Sequence, residues 1–120
     1  MIGRLAFTLP SHFKTEVRQQ GPATVICLSG ELDLASSAAL EEVLEGTAGA
    51  QILILDLRDL EFIDSTGLSV LVKAHQAAEE GGRQFGLVKG GAQVQRLLTL
   101  TGLAERLRVA DAPEELLDAS

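Results

Sequence analysis

The sequence predicts a single α/β domain built on a mixed β-sheet. The chain has 120 residues, which is long enough for one hydrophobic core without disulfides or metal ions. Residues 51–57 form a near-continuous apolar run, as expected of a central strand covered on both faces. Strand and helix patterns alternate from there onwards, which predicts right-handed crossovers between parallel strands. An N-terminal hairpin would add an antiparallel strand, so the sheet is mixed.

The amino-terminal part of the chain predicts this hairpin. Residues 13–18 and 23–29 flank Gln19-Gln20-Gly21-Pro22, whose composition is typical of a turn. Before them, apolar residues alternate briefly until Pro10 stops the pattern. This segment could be an added edge strand or a loosely docked arm, and the pattern does not choose between them. We assign residues 1–12 to an N-terminal extension and residues 13–118 to the domain.

Two helices are predicted on either side of the central strand. The first covers residues 36–48, with Ser36 as its N-cap and with Gly46 and Gly49 ending the pattern. The second begins near Ser65 and has Asp64 or Ser65 as its N-cap. Apolar or weakly polar residues recur on one face of this second helix at spacings of three and four: Leu68, Leu71, Val72, His75 and Ala78.

The remaining elements are shorter. The Gly81-Gly82 pair closes the second helix, and residues 84–89 form a strand. Residues 92–101 form a third helix that Gly102 caps, and residues 107–109 a minimal strand. Pro113 then starts a final helix. The predicted order is β-β-α-β-α-β-α-β-α.

The composition argues against several classes of partner. A formal net charge of -7 opposes attraction to nucleic acid and to anionic membrane surfaces. The 3% aromatic content, without Trp or Tyr, leaves little for stacking on bases. No apolar run approaches the roughly 20 residues that span a bilayer, so a cytoplasmic location is expected. The single cysteine, Cys27, lies in an apolar run and is expected to be a buried structural thiol.

No enzyme active site can be drawn from the sequence. The window Ile63-Asp64-Ser65-Thr66-Gly67 lacks the first glycine of a nucleophile elbow. His75 lies ten residues further along the same helix, about 15 Å away, too far to act as a base on Ser65. His12, His75 and Cys27 are single and scattered, so no metal site is predicted. We therefore expect neither catalysis nor a cofactor.

A hydroxyl at the start of a helix remains to be explained. Phosphorylation of Ser65 would add about 1.5 to 2 negative charges. The helix dipole would favour that charge by roughly 0.3 to 1 kcal/mol, while Asp64 and Asp33 nearby would oppose it. We expect the fold to survive phosphorylation and the binding surface to change. The spacing alone favours the simpler interpretation, in which Ser65 only caps the helix.

Five short stretches make the chain resemble the STAS family, and within it the bacterial anti-sigma-factor antagonists. They are residues 25–33 (VICLSGELD), residues 55–57 with 60–68 (LDL and LEFIDSTGL), and the later Gly81-Gly82 and Thr101-Gly102-Leu103 segments. The resemblance covers about residues 13–117. It implies a small domain with a mixed sheet and helices largely on one side.

The resemblance also implies a phosphorylation switch. An unphosphorylated antagonist binds an anti-sigma factor and frees the sigma factor, and that anti-sigma factor is the serine kinase that phosphorylates the antagonist. A phosphatase resets the switch. The family's acceptor corresponds to Ser65, with Asp33, Asp64, Thr66, Gly67 and Leu68 as expected partner-binding or positioning residues. Thr66 stands where a second serine is common, and the N-terminal extension is also a departure.

Two other interpretations stay open at this stage. One is a STAS interaction or scaffold module, in a stress-signalling or lipid-transport complex, that is never switched at Ser65. The other is a small-ligand or nucleotide-binding module, because helix N-termini gather at one sheet edge.

Overall fold

The computed structural model describes residues 12–117, which form one mixed sheet with five helices. The strands are β1 (Lys14–Gln20), β2 (Ala23–Leu32), β3 (Ile52–Ile63), β4 (Gln84–Val88) and β5 (Val109–Ala110). The helices are α1 (Ser37–Gly46), α2 (Ser65–Glu80), α3 (Ala92–Leu100), α4 (Leu103–Arg106) and α5 (Pro113–Leu117). The strands lie side by side in chain order, with only β1 antiparallel to its neighbour. The predicted α/β fold with a mixed sheet is confirmed.

The predicted N-terminal hairpin is present as β1 and β2. Gly21 makes the turn with φ of 59°, a left-handed conformation that glycine adopts without a Cβ penalty. Pairing runs from Gln20 opposite Ala23 to Lys14 opposite Ser29, so β1 begins beside the end of β2. Whether the segment before the hairpin is an edge strand or an arm concerns residues 1–11, which lie outside the described residues.

The central strand is longer than predicted. We expected it to end at Leu57, but β3 continues to Ile63. Its first half is paired on both sides, whereas its second half pairs only with β2. The sequence prediction leaves residues 58–63 outside the strand, whereas in the structure their charged side chains are exposed on β3 and Leu60 and Ile63 remain buried. The pairing with β2 is interrupted by two register shifts, which blur the period of two that would identify a strand.

The two faces of the sheet are covered unequally. The main apolar core lies between one face and helices α1 to α4, and it contains residues of each, such as Leu40, Leu71, Leu98 and Leu103. A smaller cluster on the other face packs against Leu116 of α5. A Cβ on Gly86 would lie 2.9 Å from Leu116, so α5 sits directly on the sheet there. The expectation that helices lie largely on one side is confirmed.

Several boundaries differ from the prediction. Helix α1 ends at Gly46, two residues before the expected end, and the last strand is Val109–Ala110 rather than residues 107–109. Gly102 does follow α3 in a left-handed conformation, with φ of 79°. The chain does not then leave the helical layer but makes the additional short helix α4. Each difference concerns four residues or fewer, a length at which local patterns discriminate poorly.

Candidate functional site

Two parallel strands end side by side and deliver two helix starts to the same edge of the sheet. Leu32, the last residue of β2, pairs with Ile63, the last residue of β3. The main-chain N–H of Asp64 donates to the Leu32 carbonyl over 3.2 Å, which extends the pairing by one bond. Asp33 and Asp64 follow their strands directly, so the structure brings these two predicted site residues to neighbouring positions.

At the start of α2, Asp64 is the N-cap. Its Oδ1 accepts a hydrogen bond from the Gly67 N–H over 2.9 Å, and its backbone is extended as capping requires. Ser65 is therefore the first residue of the helix, where its side chain is exposed. Within residues 12–117 no group hydrogen-bonds the Ser65 hydroxyl, while the Ser65 carbonyl accepts from the Ser69 hydroxyl at 3.1 Å. Of the two expected N-caps, Asp64 caps the helix and Ser65 keeps its hydroxyl free.

The next residues of α2 fix its distance from the sheet. A Cβ on Gly67 would lie 2.7 Å from the Leu32 carbonyl oxygen and 2.9 Å from Cγ1 of Ile63, too close for any side chain. Leu68 is only 6% exposed and belongs to the main core. Thr66 is partly exposed between them. Gly67 and Leu68 thus hold the helix start in place, and a direct contact of either with a partner stays a prediction.

At the start of α1, the side chains are occupied with one another. The Ser36 hydroxyl accepts from the Asp33 N–H and donates to the Glu31 carbonyl, both over 2.9 Å. The Ser37 hydroxyl donates to the Asp33 carbonyl over 2.7 Å. Ser36 stands at the N-cap position, as expected, but its side chain caps no helix amide. The Asp33 Oδ1 accepts from the Ser36 N–H over 3.2 Å, so this carboxylate organises the loop.

One large apolar side chain is exposed beside these polar groups. Leu34 lies in the loop between Asp33 and Ser36 and is 75% exposed. The hydrogen bonds of Asp33 and Ser36 on either side constrain this loop. Sequence reasoning assigned Leu34 no separate role, since one leucine in a loop carries no periodic signal.

Sequence reasoning also missed Gln93 on α3. Its Oε1 accepts from the Ile63 N–H over 3.0 Å, and its Nε2 donates to the Ile63 carbonyl over 2.9 Å. The side chain thus pairs with the main chain of β3 directly before Asp64. No motif points to this contact, because the two residues are 30 positions apart in the chain.

A second polar cluster lies elsewhere on β3 and does not join this site. Asp56 is buried and forms an ion pair with Arg58, with Nη2 and Oδ2 separated by 2.7 Å. Burial raises the pKa of the Asp56 carboxyl, but the hydrogen bonds from Arg58 outweigh burial and set that pKa below its ordinary value. Asp56 lies eight residues before Asp64, about 26 Å along the strand. The pair, with Asp56 buried and Arg58 exposed, therefore lies away from the two helix starts.

Cys27 neighbours this pair, within 2.8 Å of Arg18 Nη1. It is partly exposed rather than fully buried as we expected. Burial nevertheless raises the pKa of its thiol, despite the opposing charge of Arg18. The thiol is therefore protonated at neutral pH, which fits the predicted structural role and not that of a nucleophile.

The described residues contain no cluster of metal ligands, and His75 makes contacts inside the fold. No group of three His, Cys, Asp or Glu side chains within residues 12–117 could hold a metal ion. The imidazole of His75 packs 5.8 Å from the Phe85 ring and lies 3.4 Å from Glu79, so it is a largely buried side chain of α2, as expected. None of the helices in this part of the chain is long and apolar enough to cross a membrane.

The fold and this edge define a small α/β domain that presents the starts of two helices, one with a free hydroxyl. The STAS domain model matches residues 14–116. The chain belongs to the STAS domain family, which confirms the resemblance inferred from the sequence.

Several similar proteins are named anti-sigma factor antagonists. The anti-sigma-F factor antagonist RsfB of Mycobacterium tuberculosis is 29% identical over 102 residues, covering 83% of each chain. A crystal structure of an anti-sigma factor antagonist from Mycobacterium paratuberculosis superposes with a TM-score of 0.82 at 27% identity, covering 94% of this chain and 97% of that one. SpoIIAA from Bacillus in its phosphorylated form shares the fold, with a TM-score of 0.66, 23% identity and 88% and 96% coverage.

Proposed function

We propose that this protein is an anti-sigma-factor antagonist that is switched by phosphorylation of Ser65. In the unphosphorylated state it binds an anti-sigma factor, and the sigma factor held by that protein is released. The observation that carries the proposal is that one residue caps α2 and the next residue carries the free hydroxyl. Asp64 supplies the cap through the Gly67 N–H, so the exposed Ser65 hydroxyl is left for another protein to modify.

The chemical step would be a phosphoryl transfer catalysed by the partner. Ser65 Oγ forms a bond to the γ-phosphorus of ATP while the bond from that phosphorus to the β,γ-bridging oxygen breaks. ADP leaves, and the hydroxyl proton passes to a base of the kinase. The anti-sigma factor supplies the nucleotide site and Mg²⁺, and this chain supplies the acceptor and the docking surface. It is a substrate and a regulator rather than an enzyme.

The phosphate would change the surface more than the fold. At the first residue of α2 the helix dipole favours a negative charge by roughly 0.3 to 1 kcal/mol. The carboxylates of Asp33 and Asp64 oppose it by a term of similar size. SpoIIAA keeps the same fold in its phosphorylated form, so this architecture accommodates a phosphate. A phosphatase would then restore the binding state.

The docking surface we propose lies around the two helix starts. Asp33, Asp64 and Thr66 provide polar groups, and Leu34 provides an apolar side chain that is 75% exposed. A constrained apolar side chain surrounded by polar groups is typical of an interface anchor, because burying it costs little conformational entropy. Gly67 and Leu68 would contribute indirectly, by fixing the distance between the start of α2 and the sheet. The negative net charge makes nucleic acid and membrane surfaces unfavourable partners, and we place the protein in the cytoplasm with the sigma factor.

The test is intact-mass spectrometry after incubation with ATP, Mg²⁺ and candidate anti-sigma kinases from the same genome. Wild type should gain one phosphate, and Ser65→Ala should gain none. Ser69→Ala is the matched control, because Ser69 is also exposed on α2 and lies one helical turn further on. It should be phosphorylated like wild type.

Binding separates this proposal from that of an unswitched interaction module. Isothermal titration with the same kinase should show tight binding of wild type and weaker binding of the phosphorylated protein. If a candidate binds tightly but transfers no phosphate to Ser65, the unswitched STAS module becomes the better interpretation. Phosphate that persists in Ser65→Ala would move the acceptor elsewhere.

A further inference from the structure

The end of β3 is hydrogen-bonded on one side to strand β2 and on the other side to the side chain of Gln93. Strand β4 pairs with β3 only from Ile52 to Asp56, so it does not reach Ile63. On the β2 side, Ile63 lies opposite Leu32. On the other side, the Gln93 side chain makes the two bonds to the Ile63 main chain, at 3.0 Å and 2.9 Å. A carboxamide can take this place because, like a strand, it carries both an acceptor and a donor.

The helix that carries Gln93 is itself held close to β3. A Cβ on Gly90 would lie 2.8 Å from the Leu57 carbonyl oxygen, so the loop before α3 touches the strand directly. The Gly90 N–H donates to Oε1 of Gln95 over 3.0 Å, and Val94 is fully buried in the main core. Gln93 therefore extends from a fixed support and does not follow the movements of a loose loop.

We propose that Gln93 is a positioning residue for the acceptor, a role that rests on the proposed phosphorylation of Ser65. By holding Ile63 from the side opposite β2, Gln93 sets the point at which the chain leaves the sheet. Asp64 and Ser65 follow Ile63 immediately, so the positions of the capping carboxylate and of the Ser65 hydroxyl depend on where Ile63 is held. Without Gln93, a donor and an acceptor on the fully buried Ile63 would lose their partners, and the strand end would shift or admit water.

The expected effect falls on the transfer step rather than on docking. A displacement of a reacting group by about 1 Å can cost up to about 100-fold in rate. The docking residues Asp33, Leu34 and Asp64 keep their identities in a Gln93 variant. We therefore expect Gln93→Met, which keeps the length but removes both bonds, to lower kcat of the cognate kinase about ten-fold with little change in KM.

A graded series separates positioning from general stability. Gln93→Glu keeps an acceptor for the Ile63 N–H, loses the donor, and places a negative charge near the start of α3, where the helix dipole favours it. Its kcat should lie between those of wild type and Gln93→Met even if its melting temperature equals that of wild type. Thr99→Val is the matched control, because Thr99 is exposed on the same helix and its side chain makes no hydrogen bond within residues 12–117. It should leave kcat unchanged.

Amide hydrogen exchange measured by NMR provides a second readout that needs no kinase. The Ile63 N–H should exchange faster in Gln93→Met, while the amides of β2 and the first half of β3 keep their protection. Equal kcat for wild type and Gln93→Met, with Ser65 still the acceptor, would overturn the positioning role and leave the function standing. Wild type that takes no phosphate at Ser65 from a kinase that binds it would overturn both.

Discussion

Helices α1 and α2 begin side by side at the same edge of the sheet, and each begins with a serine, yet only one hydroxyl is available. In α1 the first residue is Ser37, which is 7% exposed and donates to the Asp33 carbonyl. In α2 the first residue is Ser65, which is exposed and carries no such bond within the described part of the chain. The residue before each helix also differs, being Ser36 in one case and Asp64 in the other.

This difference shows that the residue capping a helix determines whether the serine hydroxyl at its start is free. Asp64 reaches forward to the Gly67 amide, which satisfies the start of α2 without help from Ser65. Asp33 precedes α1 by several residues, and the loop around it uses the hydroxyls of Ser36 and Ser37 to satisfy its main chain. A serine at the start of a helix is therefore a candidate acceptor only where another residue does the capping.

The largest effect on stability is expected where α2 approaches the sheet. Gly67→Ala would place a Cβ 2.7 Å from the Leu32 carbonyl oxygen, so the helix start must move away from β2. We expect a loss of about 1 to 3 kcal/mol in the free energy of unfolding, measured by urea denaturation. The corresponding third residue of α1 is Ala39, which is exposed, so that start tolerates a side chain.

Gly49→Ala is the control for the Gly67 substitution. A Cβ at Gly49 meets nothing within 4 Å, and its φ is not positive, so the variant should be as stable as wild type within about 0.5 kcal/mol. Equal midpoints for Gly67→Ala and Gly49→Ala would mean that the close approach of α2 to Leu32 does not exist in solution.

The next effect concerns the buried hydroxyl of Ser36, the residue before α1. Ser36 is 3% exposed, and Ser36→Ala would remove a partner from both the Asp33 N–H and the Glu31 carbonyl. The expected loss is about 1 to 3 kcal/mol, near the lower end if water enters the loop. Ser65→Ala should change the free energy of unfolding by no more than about 0.5 kcal/mol. If thermal denaturation instead ranked Ser65→Ala as the more damaging variant, the Ser65 hydroxyl would be a structural group and the comparison of the two starts would fail.

A smaller effect tests the cap itself. Asp64→Ala removes the acceptor for the Gly67 N–H and should cost about 1 kcal/mol, whereas Asp64→Asn keeps an acceptor and should cost less. Both variants should be compared in kinase assays at equal folded fractions. Slower phosphorylation of Asp64→Ala than of Asp64→Asn would assign Asp64 a positioning role, and unimpaired phosphorylation of both would remove it from the acceptor site.

Much of this comparison could be anticipated from the sequence, because the elements concerned are long or carry strong signals. The apolar run before Leu57, the helical period after Ser65 and the turn at Gly21 each predicted an element that the structure contains. What could not be anticipated depends on contacts between distant segments. The extension of β3 depends on β2 as its one-sided partner, and the role of Gln93 depends on α3 packing across the strand.

The choice of cap was left open for a related reason. Asp64 and Ser65 are both good capping residues, and their order in the chain does not say which one adopts the extended backbone. In the structure Asp64 has the extended backbone and accepts from the Gly67 N–H, and the close contact of Gly67 with Leu32 lies in the same first turn. The same contact was invisible in the sequence, where Gly67 read as part of a motif rather than as a packing requirement.

The smallest effect on the fold, and the sharpest test of the switch, is expected from Ser65→Asp. The new carboxylate gains from the dipole of α2 and is opposed by Asp33 and Asp64, so the free energy of unfolding should change by less than about 0.5 kcal/mol. Binding to the anti-sigma factor, measured by isothermal titration, should nevertheless weaken about ten-fold or more, because an uncompensated charge would be buried at the contact. Ser69→Asp, one turn further along the exposed side of α2, controls for added charge as such. Equal weakening by both variants would indicate a general charge effect, whereas weakening by Ser65→Asp alone would locate the switch at the start of α2, whose hydroxyl is free where that of α1 is bonded.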